Sequence, residues 1–130
     1  MRTLQFKVVG LTFVPGYPDN LYRLQEVAAE RYLTGPSASF GDHDAPEPLP
    51  VVLIRDPDNK YDANAIEVHV PALGRHGMIG HVPAKDPAIA SKLAPLLDKG
   101  EVWKAGMTAV LVHPDNPDNP GIEIRCERQS

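Results

Sequence analysis

The apolar residues of this chain come in short alternating runs. Each run is cut off by proline, glycine, asparagine or aspartate before a long element can form, and 14 prolines and 10 glycines supply the breaks. Period-two alternation over four to eight residues is the pattern of a half-buried strand, whereas a helix needs an apolar stripe at three- and four-residue spacing. Only two segments carry that stripe. The order reads β-α-β-β-β-α-β-β, with no repeated βα unit that would build a parallel sheet. The expected fold class is mostly β with two helices (α+β), a small, partly open barrel of OB-like or SH3-like type.

The first strand reads from Thr3 to Phe13, with Leu4, Phe6 and Val8 alternating against Thr3, Gln5 and Lys7, and with Gly10 marking a bulge or close approach. After the turn cluster VPGYP, Asp19 caps a helix of about 13 residues with Leu21, Leu24, Ala28 and Tyr32 on one face. Gly35-Pro36 stops it. Residues 34–50, rich in Pro, Ser, Gly and Asp, read as a flexible surface loop. Val51–Arg55 is a second strand buried on both faces, Ala65–Val70 a third and Gly77–Val82 a fourth. Asp86-Pro87 starts the second helix, which buries Ile89 and Leu93, is kinked or restarted by Pro95, gains Leu96 and Leu97, and ends at Gly100. Trp103–Val112 and Ile122–Cys126 are the last two strands, joined by the turn HPDNPDNPG. The expected core holds Val8, Leu53, Ile66, Val68, Ile79, Leu93, Val110 and Ile124.

At 130 residues the chain suffices for one domain with one core. No apolar run reaches the ~20 residues of a membrane span, and the opening MRTLQFKVVG is too short and mixed for a signal peptide. The single cysteine, Cys126, excludes an intrachain disulfide and fits a reducing cytoplasm. The formal net charge is −4, unevenly spread. Residues 17–50 hold six acids against two bases, whereas residues 51–92 hold five of each. The surroundings of the middle strands are therefore neutral, with His69, His76 and His81 added.

Enzymatic chemistry has no recognisable carrier. The sequence lacks a phosphate-cradling GxxxxGK[ST] loop, a Gly-x-Gly-x-x-Gly turn, a GxSxG elbow, a CxxC pair and an HExxH helix. Cys126 has no local nucleophile signature. His69 and His81 lie on adjacent expected strands, where solvated or hydrogen-bonded histidines are the simpler reading and a metal site the rarer one; Asp42-His43-Asp44 falls in the loop. The reading is therefore no enzyme, no cofactor and no metal.

Residues 55–70, RDPDNKYDANAIEVHV, followed by GMIGHVP at 77–83, stand apart. Asn59, Asp62 and Asn64 set three short polar side chains around the ring of Tyr61 immediately before a strand. Such residues often serve the turn itself, by bonding nearby backbone N–H groups. The pattern also resembles the HIRAN domain, through Val8-Val9-Gly10-Leu11, the thirteen residues from Asp56 to Val68, and Ile79 to Pro83. KLAPLLDKG at 92–100 and the helix between the first two strands resemble its stand-alone bacterial or phage type. That type is related to the N-terminal domain of helicase-like transcription factor. The resemblance covers nearly the whole chain and implies one HIRAN-like domain over 1–130, an OB-like barrel.

What the resemblance implies for function is recognition of the 3′-hydroxyl end of single-stranded DNA. Tyr61 matches the tyrosine that stacks on terminal bases, and Asp62 the acceptor of the hydroxyl. Asn59 matches the turn asparagine and His81 the phosphate-side histidine. Phe13 stands where a first-strand aromatic is expected. Thr12 replaces a family arginine and Ala84 a phosphate-binding lysine; Lys60 and Lys85 lie beside matched positions and are placed to compensate. With Asn64 of the same turn, the candidate nucleic-acid-binding set is Phe13, Asn59, Lys60, Tyr61, Asp62, Asn64, His81 and Lys85. The implied partners are a single-stranded DNA 3′ end and a helicase or other DNA-processing protein, as in DNA repair or replication. The alternative is a protein-interaction or accessory domain on the same barrel, its DNA site decayed through Thr12 and Ala84.

Overall fold

The longest strands are the last two, β5 (Val102–His113) and β6 (Asn116–Gln129), paired antiparallel from Val102↔Gln129 to His113↔Asn116. Around them lie β1 (Thr3–Lys7), β2 (Leu49–Arg55), β3 (Ile66–His69) and β4 (Met78–His81), with helices α1 (Asp19–Glu30) and α2 (Ile89–Asp98). The computed structural model describes residues 3–31, 33, 47–74, 77–85, 87–113 and 116–129, with the backbone alone for 112, 113 and 116–120. The strand order is β1-β6-β5-β2-β3-β4 and every pairing is antiparallel. The fold is a curled half-barrel of six strands and two helices, as the alternation predicts.

Register shifts accompany the curl, one of them near the end of β5 between Leu111 and His113. Met107 faces Ile124 but Ala109 faces Glu123, so β5 carries one extra residue, Thr108. Its hydroxyl donates to the Glu123 carbonyl at 3.3 Å. A bulge of this kind bends and twists its strand, and here it puts Ala109 and Val110 in succession into the core. Another shift lies between Val68 and His69, opposite β4. The two ends of the sheet then meet. Val8 N–H still donates to Ile122 O of β6 at 3.0 Å, while Val9 exchanges two hydrogen bonds with His81 of β4, at 3.0 and 2.9 Å. Gly80 permits this closure: its φ is +154°, and a Cβ there would collide with Val9 O and Val8 Cγ1.

The core runs through all of these elements. Leu24, Ile66, Val68, Leu93, Met107, Ile122 and Ile124 are essentially fully buried. Burial of each such side chain contributes about 1.5–3 kcal/mol. Of the expected core, Leu53 alone is only partly buried, packed against the rest.

Several sequence expectations change. The first strand ends at Lys7; Gly10 takes a left-handed φ of 74° and starts a 3-10 turn at Leu11–Phe13. Asp19 is the first residue of α1 instead of its cap, which is Pro18. Leu49 and Pro50, assigned above to the loop, begin β2, and Leu49 is buried; residues 34–46 and Tyr32 lie outside the described residues. β2 is not buried on both faces: Val52 and Ile54 are 46% and 42% exposed. Its partner changes from β5 at Val51 to β3 at Val52, and among the described residues no layer covers Val52 and Ile54 on the outer side. α2 begins at Ile89, after Pro87, with the Pro83 carbonyl accepting from the N–H groups of Ile89 and Ala90, and it runs through Pro95 without a break. Asp86 lies outside the described residues. β6 takes in most of the expected HPDNPDNPG turn, because main-chain pairing with β5 continues beyond the apolar alternation.

Candidate nucleic-acid interface

The turn joining β2 to β3 is built by side chains. Asn59 Oδ1 accepts from the backbone N–H groups of both Tyr61 and Asp62, at 2.9 and 3.1 Å. Asn59 Nδ2 donates to Asp56 Oδ2 at 3.1 Å. Asp62 Oδ1 accepts from the Asn64 N–H at 2.8 Å. Backbone bonds from Asn59 to Asp56, Ala65 to Asp62 and Asp56 to Ala65 complete the network. This is turn chemistry of the kind Asn and Asp favour. The turn reading accounts for Asn59 and for one oxygen of Asp62. It does not account for Tyr61, which is 95% exposed. Asp62 Oδ2 is engaged by no described residue.

A guanidinium closes the turn from below. Arg55, the last residue of β2, donates from Nη1 to Ala65 O at 2.7 Å and from Nη2 to Ala63 O at 2.9 Å. The same group donates to both carboxylate oxygens of Asp98 at the end of α2, at 2.9 and 3.2 Å. The hydrogen bond from Arg55, reinforced by its charge, holds the Asp98 carboxyl below the ordinary carboxylate range against a smaller desolvation effect. Arg55 is the residue that sequence reasoning missed. Its only sequence signal is a lone cation at a strand end directly before DPDN.

His81 is half-buried and occupies the corner of the sheet, paired with Glu67 of β3 on one side and Val9 on the other. The segment after Val9 carries Phe13, which is 91% exposed at the end of the 3-10 turn instead of on a strand. The reason for that shift is the left-handed Gly10, which redirects the chain as soon as Val9 has paired with β4. One residue beyond His81, Val82 N–H donates to Ile66 O, the first residue of β3 after the Tyr61 turn. Thus β4 lies between the segment that bears Phe13 and the strand that follows Tyr61. Lys60 and Lys85 are exposed, Asn64 is half-buried, and Thr12 and Ala84 are exposed positions without charge. His69 bonds Glu67 at 2.9 Å, and among the described residues no cluster of three His, Cys, Asp or Glu is placed to hold a metal ion.

Around Tyr61 the charge is acidic: Asp56, Asp58 and Asp62 against Lys60, with Arg55 committed to Asp98 and the loop carbonyls. Such a site repels a continuous phosphate backbone and tolerates an uncharged hydroxyl donor. Among the described residues, no helix is long and apolar enough to cross a membrane.

Comparison with known proteins agrees with the motif. A sequence profile of the HIRAN domain matches residues 1–127. The crystal structure of the HIRAN domain of human HLTF is similar at a TM-score of 0.54 and 23% identity, covering 98% of this chain and 74% of that one. A crystal structure of a protein from Lactobacillus plantarum is similar at 0.53 and 21%, covering 98% and 93%. At these identities the likeness is one of fold. No curated protein matches the chain by sequence.

Proposed function

The chain belongs to the HIRAN domain family, known as a DNA-binding module, and on that premise we propose that it recognises the 3′-hydroxyl end of single-stranded DNA. The observation that carries the reading is the exposure of two aromatic rings, Tyr61 at 95% and Phe13 at 91%, in a domain that buries most of its large apolar side chains. A rigid, exposed ring is a stacking platform, and a stacked base contributes ~1–3 kcal/mol without regard to sequence. Asp62 offers the second oxygen of a carboxylate whose first oxygen is tied to the turn, so it can accept from a terminal hydroxyl with little reorganisation. Asn59 and Asn64 hold the turn. His81, Lys60 and Lys85 meet the phosphates on the 5′ side. End recognition of this kind needs few phosphate contacts, which reconciles it with a net charge of −4.

The role is binding without catalysis, in a reducing cytoplasm, alongside a helicase or other DNA-processing protein. The decisive experiment is fluorescence anisotropy with one oligonucleotide bearing either a 3′-hydroxyl or a 3′-phosphate. The hydroxyl form binds more tightly, because the phosphate removes the donor and sets a negative charge against Asp62. Equal binding to both ends removes the role of Asp62 and leaves a generic single-strand binder. A second reading, a protein-interaction or accessory domain on the same barrel, is favoured by Thr12 and Ala84, exposed and uncharged where the family carries cations. It requires that no oligonucleotide binds at any end.

A further inference from the structure

The side-chain bonds within the 56–65 turn fix its shape but not its attitude to the barrel. Asn59, Asp62 and Asp56 act on residues inside the turn. Among the described residues, the side-chain tie from the turn to an element outside the β2–β3 hairpin is Arg55, four of whose hydrogen bonds are divided between the returning limb of the turn and α2. Its side chain is 16% exposed while that of Asp98 is 56% exposed, so the guanidinium is covered on the turn side and the carboxylate end of the pair faces water.

The partner on α2 is informative. Asp98 is the last residue of its helix, and an acid there opposes the helix dipole, which favours cations at the C-terminal end. Helix chemistry therefore does not account for Asp98; a bidentate pair with a guanidinium does. The other end of α2 begins on the carbonyl of Pro83, two residues after His81 and directly before Ala84 and Lys85. Thus α2 crosses one end of the barrel, from the segment after β4 to the end of β2, and touches both chain segments that flank the proposed site.

We infer that Arg55 is the positioning residue of the Tyr61–Asp62 turn, fastening the Ala63 and Ala65 carbonyls to Asp98 so that α2 sets where the exposed ring and carboxylate stand. For its DNA consequence this rests on the function proposed above; the mechanical part stands without it. A lysine cannot replace the arginine, because one ammonium cannot reach two carbonyls and two carboxylate oxygens in a planar fork.

The test uses the full chain with Arg55→Lys and, separately, Asp98→Asn. The second change lies on an exposed helix end and keeps the domain folded even where the first does not. Trypsin cleavage after Lys60, well below the melting temperature, is compared with cleavage in β5 and β6 at Lys104 and Arg125. Loss of two charge-assisted bonds to loop carbonyls raises the Lys60 rate about ten-fold in Arg55→Lys, and less in Asp98→Asn, while the strand sites keep their wild-type rates. In anisotropy, the ratio of 3′-hydroxyl to 3′-phosphate affinity falls toward one in both variants. A merely structural role for Arg55 raises cleavage at Lys60 and in the strands together, and overturns the inference. Unchanged cleavage after Lys60 in both variants overturns it as well. A wild-type protein with no free-end preference defeats the DNA reading only, and the Lys60 rates still decide the positioning role.

Discussion

In β6, Ile122, Ile124 and Cys126 are buried while Glu123 and Arg125 between them are half-exposed, and a main-chain ladder to β5 and β1 holds the strand. In the 56–65 turn only Ala65 is buried, and the shape comes from the oxygens of Asp56, Asn59 and Asp62 and the guanidinium of Arg55. The strand derives its order from removing apolar surface from water, so a polar residue serves on its outer side, while truncating an inner aliphatic side chain leaves a cavity. The turn derives its order from a few directional bonds, so an aromatic ring at its tip is left available for another molecule. The difference teaches where function can reside without cost to the fold: on a segment whose shape does not depend on its most exposed side chain.

The largest effect that tests this contrast is in the strand. Ile124→Ala removes a side chain that is 1% exposed, and such truncations cost about 2–5 kcal/mol through lost transfer energy plus a cavity. Urea unfolding measures it; a loss below about 1 kcal/mol means that β6 is not the anchor described.

Tyr61→Ala inverts the pattern. Stability stays within about 0.5 kcal/mol, as for exposed positions away from the core. Affinity for a single strand falls by ~1–3 kcal/mol, about ten- to a hundred-fold. A matching drop in melting temperature makes Tyr61 a structural residue and erases the distinction between the two regions.

At alkaline pH, comparison with Cys126→Ala isolates the strand. Burial pushes the Cys126 thiol up to about 11, above the ordinary thiol range. The unfolded chain then loses this proton first as pH rises, so the contribution is full below the ordinary thiol pKa and fades as pH climbs toward 11. Across that window wild type loses up to about 1.4 kcal/mol per pH unit relative to Cys126→Ala. Parallel stability curves for the two proteins contradict a buried thiol.

The smallest effect sharpens the description of the turn. Asn59→Ala frees two N–H groups and costs about 1 kcal/mol. Hydrogen exchange accelerates at the Tyr61 and Asp62 amides and not at Ile124. Acceleration at all three sites shows that the turn and the strand open together.

Most element positions were legible because alternation is a local signal. The third, fourth and fifth strands and both helices stand within a few residues of where Ile66-Val68, Ile79, Met107-Val110, Leu24-Ala28 and Leu93 put them. The candidate site was legible through its own local chemistry as well: Asn59 and Asp62 bond the backbone two and three residues away, which is what such residues do in turns. The misreadings share a cause. Phe13 reads as strand because the apolar run continues past Gly10, and β2 reads as buried on both faces because residues 51–54 are all apolar. Neither pattern states which partner lies alongside.

The sequence by itself determined the periods, the breaks and the family, since each depends on neighbours within a few residues and on a thirteen-residue motif. Tertiary structure alone decided that Val9 closes on His81, that β2 changes partner between Val51 and Val52, and that Arg55 meets Asp98 across 43 residues of chain. Those outcomes depend on how far the sheet curls and in what register its edges meet. Both are set by bulges at Thr108 and beside Val68 and by the side chains packed over the whole core, which no short window of residues contains.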